Sequence, residues 1–155
     1  MSVSRYAVVA DAVMATLYDL SDTGLALVAI FDGPPVVTSY SSDFLFIGWT
    51  GDPDNDLAGT IRQNYHDTGP TATRDEYVEI NGSVIVGRGD NDMSLARIRA
   101  VEILGVMESA FRANPSLGLA DLLRVEVSDG TVRQVRDGEG IAVEIDFTIT
   151  ATSLI

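Results

Sequence analysis

Ile141-Ala142-Val143-Glu144-Ile145-Asp146-Phe147-Thr148-Ile149-Thr150 alternates apolar and polar residues almost without error. Side chains on a strand point to opposite faces in turn, so this run predicts a strand with one buried face and one wet face. Working back from it, Leu122 to Val127 and Thr131 to Arg136 read as two further strands. Asp129-Gly130 and Gly138-Glu139-Gly140 then supply the turns of a meander. The last strand is expected to tie its end of the chain into the sheet.

Ahead of these strands, Asp92 to Ala113 carries apolar residues at helical spacing. Asp92 is placed to cap this helix and Asn114-Pro115 to stop it. The expected core face is Ala96, Ala100, Ile103, Leu104, Met107, Ala110 and Phe111. Glu108 and Arg112 fall one turn apart on the outer face. Ile98 and Val101 fall there too, beside Arg97 and Glu102. Scattered surface apolars usually carry no meaning; the other reading of this pair is a subunit contact.

Upstream, Ser4 can cap a first helix with Tyr6, Ala10, Val13, Met14 and Leu17 on one face, ended by Asp22-Thr23-Gly24. Leu25 to Phe31 predicts a buried strand or a strand-like connection. Asp32-Gly33-Pro34-Pro35 must turn, because two prolines remove two ladder donors. Phe44 to Trp49 predicts a second strand, Gly51 to Gly59 an acidic loop, and Thr60 to His66 a short strand before Gly69-Pro70. Arg74 to Arg88 predicts a long strand with Val78, Ile80, Val84 and Val86 on one face. Asn81-Gly82 inside it suits a hairpin turn, but a bulge in a long bent strand is preferred, since each half is too short for a stable ribbon. The expectation is one α+β domain over residues 1–155: a mainly antiparallel bent sheet with an N-terminal helix and one long central helix packed on one face.

Apolar residues make up 46% of the 155, which argues against disorder despite a formal charge of -13. The longest apolar run, Leu25 to Phe31, is far shorter than the roughly 20 residues that span a bilayer, so no membrane partner is expected. No signal-peptide pattern opens the chain, and the lack of cysteine removes disulfides and thiolate chemistry, which suits a cytosolic setting. Ten arginines and no lysines stand against sixteen aspartates and seven glutamates. Such a chain repels polyphosphate, so sequence-specific nucleic-acid binding is disfavoured. The same charge can shape a surface past which DNA slides without sticking.

Motifs that carry chemistry are scarce. Asp67-Thr68-Gly69 matches the aspartic-protease triplet, but Tyr65-His66 precede it where an apolar strand is needed, and a plain turn is preferred. Asp52, Asp54 and Asp56 have the alternate spacing of a calcium loop, yet Leu57 and Gln63 stand where that loop needs glycine and glutamate. An acidic surface loop is the preferred reading. Arg88-Gly89-Asp90 is a three-residue match to the integrin triplet, directly before a helix cap. His66 is the lone imidazole, and no nucleophile elbow, phosphate loop or zinc cluster accompanies it. No catalytic residue, cofactor or metal is expected.

Four stretches carry a resemblance. Asp43-Phe44-Leu45-Phe46-Ile47-Gly48 is a strand ending in an apolar-Gly pair, and Arg74-Asp75-Glu76-Tyr77-Val78-Glu79-Ile80 is charged and then alternating. Gly89-Asp90 precedes the long helix, Arg97 or Arg99 lies within it, and Asn114-Pro115-Ser116-Leu117-Gly118 leaves it. Ile145-Asp146-Phe147-Thr148-Ile149-Thr150-Ala151 closes the sheet. In this order, after an N-terminal helix, they resemble the tail terminator (tail completion) proteins of long-tailed bacteriophages. The similarity is spread over most of the chain. Asn114 stands where aspartate is commoner, and Leu119 replaces the second glycine of the family's helix exit.

The resemblance implies a ring, usually a hexamer, capping the tail tube where it meets the head connector. Its partners would be further copies of itself, the major tail tube protein and head-tail connector proteins, in the neck of a virion assembled in the host cytoplasm. Genome DNA would pass through the lumen without specific binding. Six copies at -13 each would carry -78 formal charges, which suits that passage. Ile98, Val101 and the loop residues Asp52, Asp54 and Asp56 are the candidate contact residues. The competing readings are a head-tail connector or stopper subunit, and a soluble small-ligand-binding module with its pocket between the main helix and the sheet. A remote one is a hydrolase built on pairs of Asp67.

Overall fold

The structure, a computed structural model, describes residues 4–34, 43–50, 54, 57–66, 69, 73–138 and 140–155. Eight elements follow one another: α1 (Tyr6–Asp19), β1 (Val28–Asp32), β2 (Asp43–Ile47), β3 (Gly59–Tyr65), β4 (Arg74–Arg88), α2 (Met93–Ala113), β5 (Leu122–Asp137) and β6 (Gly140–Leu154). The strands form one six-stranded sheet in the order β1-β2-β4-β6-β5, with β3 also paired to β4. Among the described residues only β1 and β2 run parallel; every other pairing is antiparallel. The α+β architecture is therefore as the sequence indicates.

β4 and β6 pair from Asp75↔Leu154 to Arg88↔Ile141 without a register shift. Cross-strand partners share a face, so Val78, Ile80, Val84 and Val86 stand beside Ala151, Ile149, Ile145 and Val143. Against that face α1 buries Val9, Val13, Met14 and Leu17, and α2 buries Ala96, Ala100, Ile103, Met107 and Phe111. Two alanines at the start of α2 let its backbone approach the sheet closely. Each fully buried Val, Leu or Ile contributes about 1.5–3 kcal/mol. A second cluster, Phe44, Phe46 and Ile85 with Phe31 and Trp49, covers the opposite face of β2. Its rings stack at 5.3 to 6.0 Å, with Trp49 edge-on to Phe46 at 4.7 Å. The β2 corner is thus buried on both faces, which explains its unbroken run Phe44-Leu45-Phe46-Ile47.

Three local expectations need correction. Asn81-Gly82 is neither a bulge nor a turn. There β4 changes partners on one edge, from β3, which pairs as far as Gly59↔Ile80, to β2, which begins at Ile47↔Gly82. Gly82 is required because a Cβ would lie 2.6 Å from the Phe46 carbonyl oxygen and 2.4 Å from the Phe147 ring. Asp129-Gly130 is not a turn either. β5 is one 16-residue strand that follows β6 along its length and absorbs surplus residues at Leu122/Arg124 and Val127/Asp129. The three-stranded meander is therefore one long hairpin. Finally, Leu25 is buried but sits in the turns after α1, Leu27 is 92% exposed at φ +65°, and the strand begins only at Val28.

The helix caps behave as expected, with one displacement. Asp92 Oδ1 accepts from the Leu95 amide at 3.1 Å. Ser4 Oγ accepts from the Tyr6 amide at 3.1 Å, one residue ahead of the cap position, which Arg5 occupies. After Asn114, Leu117 and Gly118 adopt φ +49° and +79°, so the exit turn closes with one glycine and leaves Leu119 to pack on the core.

Gly82→Ala is expected to cost about 1–3 kcal/mol, because backbone oxygen cannot move aside for the added carbon. Gly130→Ala, whose Cβ would meet nothing closer than 3.8 Å, is expected to cost less than about 1 kcal/mol. Urea unfolding midpoints of the two variants check both, and a larger loss at Gly130 would restore the turn.

Candidate assembly surface

Charged side chains fasten the ends of the elements. Asp43, buried at the start of β2, holds two arginines: Arg88 Nη1 donates to Oδ1 at 3.1 Å and Arg99 Nε to Oδ2 at 2.9 Å. Arg99 also pairs with Glu102 at 3.3 Å and reaches the Ala26 carbonyl at 3.4 Å. The hydrogen bond to Asp43, against some burial, raises the Arg99 pKa above its ordinary value. Glu76 is fully buried and accepts from the Arg5 amide and from Gln63 Nε2, each at 2.6 Å. Arg5 pairs with Asp121, with Nε 2.7 Å from Oδ2 and Nη2 donating to Oδ1 at 2.8 Å. These three nodes tie β2 to α2, β3 to α1, and α1 to the entry of β5.

On the face away from the helices, Arg133 donates to Glu144 at 3.3 Å and to Asp146 at 2.6 Å, and Ser83 Oγ donates to Glu144 at 3.2 Å. Burial raises the Glu144 pKa, the neighbouring Asp146 charge adds to the rise, and Arg133 and Ser83 oppose it.

The predicted contact residues separate. Ile98 and Val101 are 60% and 59% exposed and form an apolar strip on α2 flanked by Arg97 and Glu102. Asp54 is exposed, while Asp52 and Asp56 lie outside the described residues. Sequence reasoning missed the tie between this end of α2 and β5. Arg97 Nη1 donates to Gln134 Oε1 at 2.9 Å, which sets α2 along the sheet's last strand. One helical turn on from Arg97 is Val101; two residues back along β5 from Gln134 is Val132, 56% exposed. Leu95 and Leu27 are further exposed apolars at this end of the molecule.

His66 Nε2 lies 2.8 Å from Asp75 Oδ2 across the β3–β4 hairpin, and Asp67 and Thr68 lie outside the described residues. Arg88 of the Arg-Gly-Asp triplet is engaged with Asp43 and with the Gly87 carbonyl. Among the described residues no three His, Cys, Asp or Glu converge as a metal site, and no helix is long and apolar enough to cross a membrane. A cleft of about 290 Å³ opens between the end of α2 and β5, lined by Glu108, Phe111, Arg112, Arg124 and Glu126 among others. That is just below the roughly 300–1,000 Å³ of small-molecule pockets.

No protein-family model matches the sequence, and no curated protein matches it. Among solved structures, the chain is similar to one from the virion of a native gene transfer agent (GTA) particle, with a TM-score of 0.52 over 94% of each chain. The two sequences are 14% identical. The likeness is one of fold.

Because folding favours the neutral form of Glu144, its contribution to stability is whole below the unfolded pKa and is lost as pH rises through the raised folded value. Glu144→Gln is therefore expected to gain stability relative to the natural protein between pH 4.5 and neutrality. Thermal midpoints of both proteins across that range check it, and a constant difference would contradict it.

Proposed function

We propose that this chain is a structural protein of a phage-like virion and acts as a tail terminator. Copies close into a ring, a hexamer in the family it resembles, which caps the tail tube, stops its growth and joins it to the head connector. The observation that carries the reading is the likeness of fold, end to end, to a chain of a gene transfer agent virion. It is independent of the sequence stretches that resemble tail terminators, and both support a virion structural protein; the terminator role rests on the resemblance.

The surface supports assembly rather than turnover. Ile98 and Val101 form an open apolar strip on α2, and Val132 is exposed on β5, as a subunit contact requires. Bond-making has no part in the reading: the chain acts by shape and by self-recognition. Its acidity keeps DNA moving through the lumen, since phosphate finds few cations to hold it. Further partners are the major tail tube protein on one side and the connector on the other. A head-tail connector subunit is the second reading, which the same fold likeness supports equally; capping of tube ends separates the two.

Purified protein is expected to form rings by negative-stain imaging and native mass spectrometry, alone at high concentration or on the ends of tail tubes. Ile98→Asp with Val101→Asp is expected to abolish the rings while changing folding stability by no more than about 1 kcal/mol, since both side chains are exposed. A protein that stays monomeric and never caps tubes would sink the reading.

A further inference from the structure

We infer that a second copy of this chain docks head to tail, with its α1/β3 side seated against the α2/β5 side of the first. The inference rests on the ring reading above and names the two surfaces that meet.

The sheet supplies two open edges. β5 ends the strand order, and among the described residues its outer edge has no partner along 16 residues. β3 is likewise open on the side away from β4. Both lie in the same rows of the sheet: Ile61 pairs with Val78, Val78 with Ala151, and Ala151 with Val125. An unpaired edge is a template for another strand. Both edges also present apolar side chains, Ile61 and Tyr65 on β3, Leu123 and Val132 on β5.

The number of strands decides how two copies can meet. β3, β4, β6 and β5 are four strands, each antiparallel to the next. With an even number, the first and last run in opposite directions. A second copy repeated in the same orientation then brings its β3 antiparallel to β5 of the first, which is the more stable pairing. No copy has to be inverted, so the contact can repeat around a ring.

The helix layer carries the matching charges. Tyr6 of α1 packs close over Gly59 at the start of β3, so α1 lies on the β3 side. Arg97 bonded to Gln134 places α2 on the β5 side. α1 holds Asp11 and Asp19 and no basic residue. α2 and β5 together hold six of the ten arginines; Arg99, Arg124 and Arg133 are engaged with Asp43, Glu126 and the Glu144–Asp146 pair, and Arg97, Arg112 and Arg136 are exposed. Head-to-tail docking sets the acidic α1 against Arg97 and Arg112 around the Ile98–Val101 strip. A β5-to-β5 contact would bring arginines together instead. Opposite charges at a rim steer the encounter and penalise the wrong pairing.

Since the chain has no cysteine, two can be introduced cleanly. Ile61→Cys and Leu123→Cys lie on opposite edges, three strand spacings or roughly 14 Å apart within one copy. A bismaleimide reagent applied under ring-forming conditions is expected to link the double variant into a ladder beyond the dimer. Each single variant is expected to stay at monomer mass on a denaturing gel, and circular dichroism confirms that all three fold. Dimers from Leu123→Cys alone would overturn the proposal in favour of a two-fold contact. A double variant that stays monomeric on the gel while its rings are visible by imaging would overturn this interface and leave the ring reading standing. Absence of rings in the natural protein, with or without tube ends, would remove both.

Discussion

The unbroken register between β4 and β6 is the constraint on which the rest of the structure depends. Because side chains alternate with period two, a slip of one residue would turn every buried side chain of a strand to the other face. In β6 such a slip would send Ile145 and Ile149 toward water and bring Glu144 and Asp146 under the helices. At about 1.5–3 kcal/mol for each apolar side chain, and more for each unpaired charge, that exceeds the roughly 5–15 kcal/mol that holds a domain folded. The register in turn fixes where β3 ends and β2 begins along β4. It also dictates the length of β5, which must follow β6 to its tip and accommodates the difference with two bulges.

Charged groups inside this frame serve as joints. A buried ion pair is a poor source of stability, since desolvation offsets most of the attraction. Its value lies in direction. Glu76 receives the backbone amide of Arg5 and the Gln63 amide, so it sets both the entry of α1 and the angle of β3. A carboxylate at the start of a helix is also favoured by the helix dipole. Asp43 joins β2, the end of β4 and the second turn of α2 through two arginines that approach its two oxygens separately. Apolar contacts can slide by an ångström; these contacts hold the elements in one arrangement.

Legibility from sequence followed the range of the interactions. α2 and β4 could be read within a residue and β6 within two at its far end, because their burial is periodic and the helix cap is local. The roles of Asp129-Gly130 and Asn81-Gly82 could not, because the same dipeptides serve in turns and in strands, and the partner strand decides between them. Leu25 to Phe31 misled for another reason: its apolar run crosses from a turn into a strand at Leu27, a residue in the left-handed region that sequence gives no reason to expect. The exposed Ile98 and Val101 were visible from helical spacing alone. The tie of this helix to β5 was not, since it is a contact between Arg97 and Gln134, 37 residues apart in the chain. The joints at Asp43 and Glu76 left no signal: Asp43 follows two serines and Glu76 follows Arg74-Asp75, settings in which an exposed acid is the ordinary expectation.

Charge and edge together give the surface its logic. Residues 1–92 hold fourteen acids and four arginines, while the remaining residues hold nine acids and six arginines. The net charges of these two parts are -10 and -3, so the cations are commoner in the second. An open strand as long as β5 would ordinarily invite indiscriminate pairing, and the chain carries two of the usual safeguards, bulges and charged side chains along the edge. At a distance, two copies of net charge -13 repel. Close contact is tolerable only where that repulsion is locally reversed, and α2 with β5 is where the arginines are concentrated. On the docking inferred above, an edge guarded against random strands and acidic copies, yet bordered by cations and an exposed valine, would select one partner orientation and penalise the others.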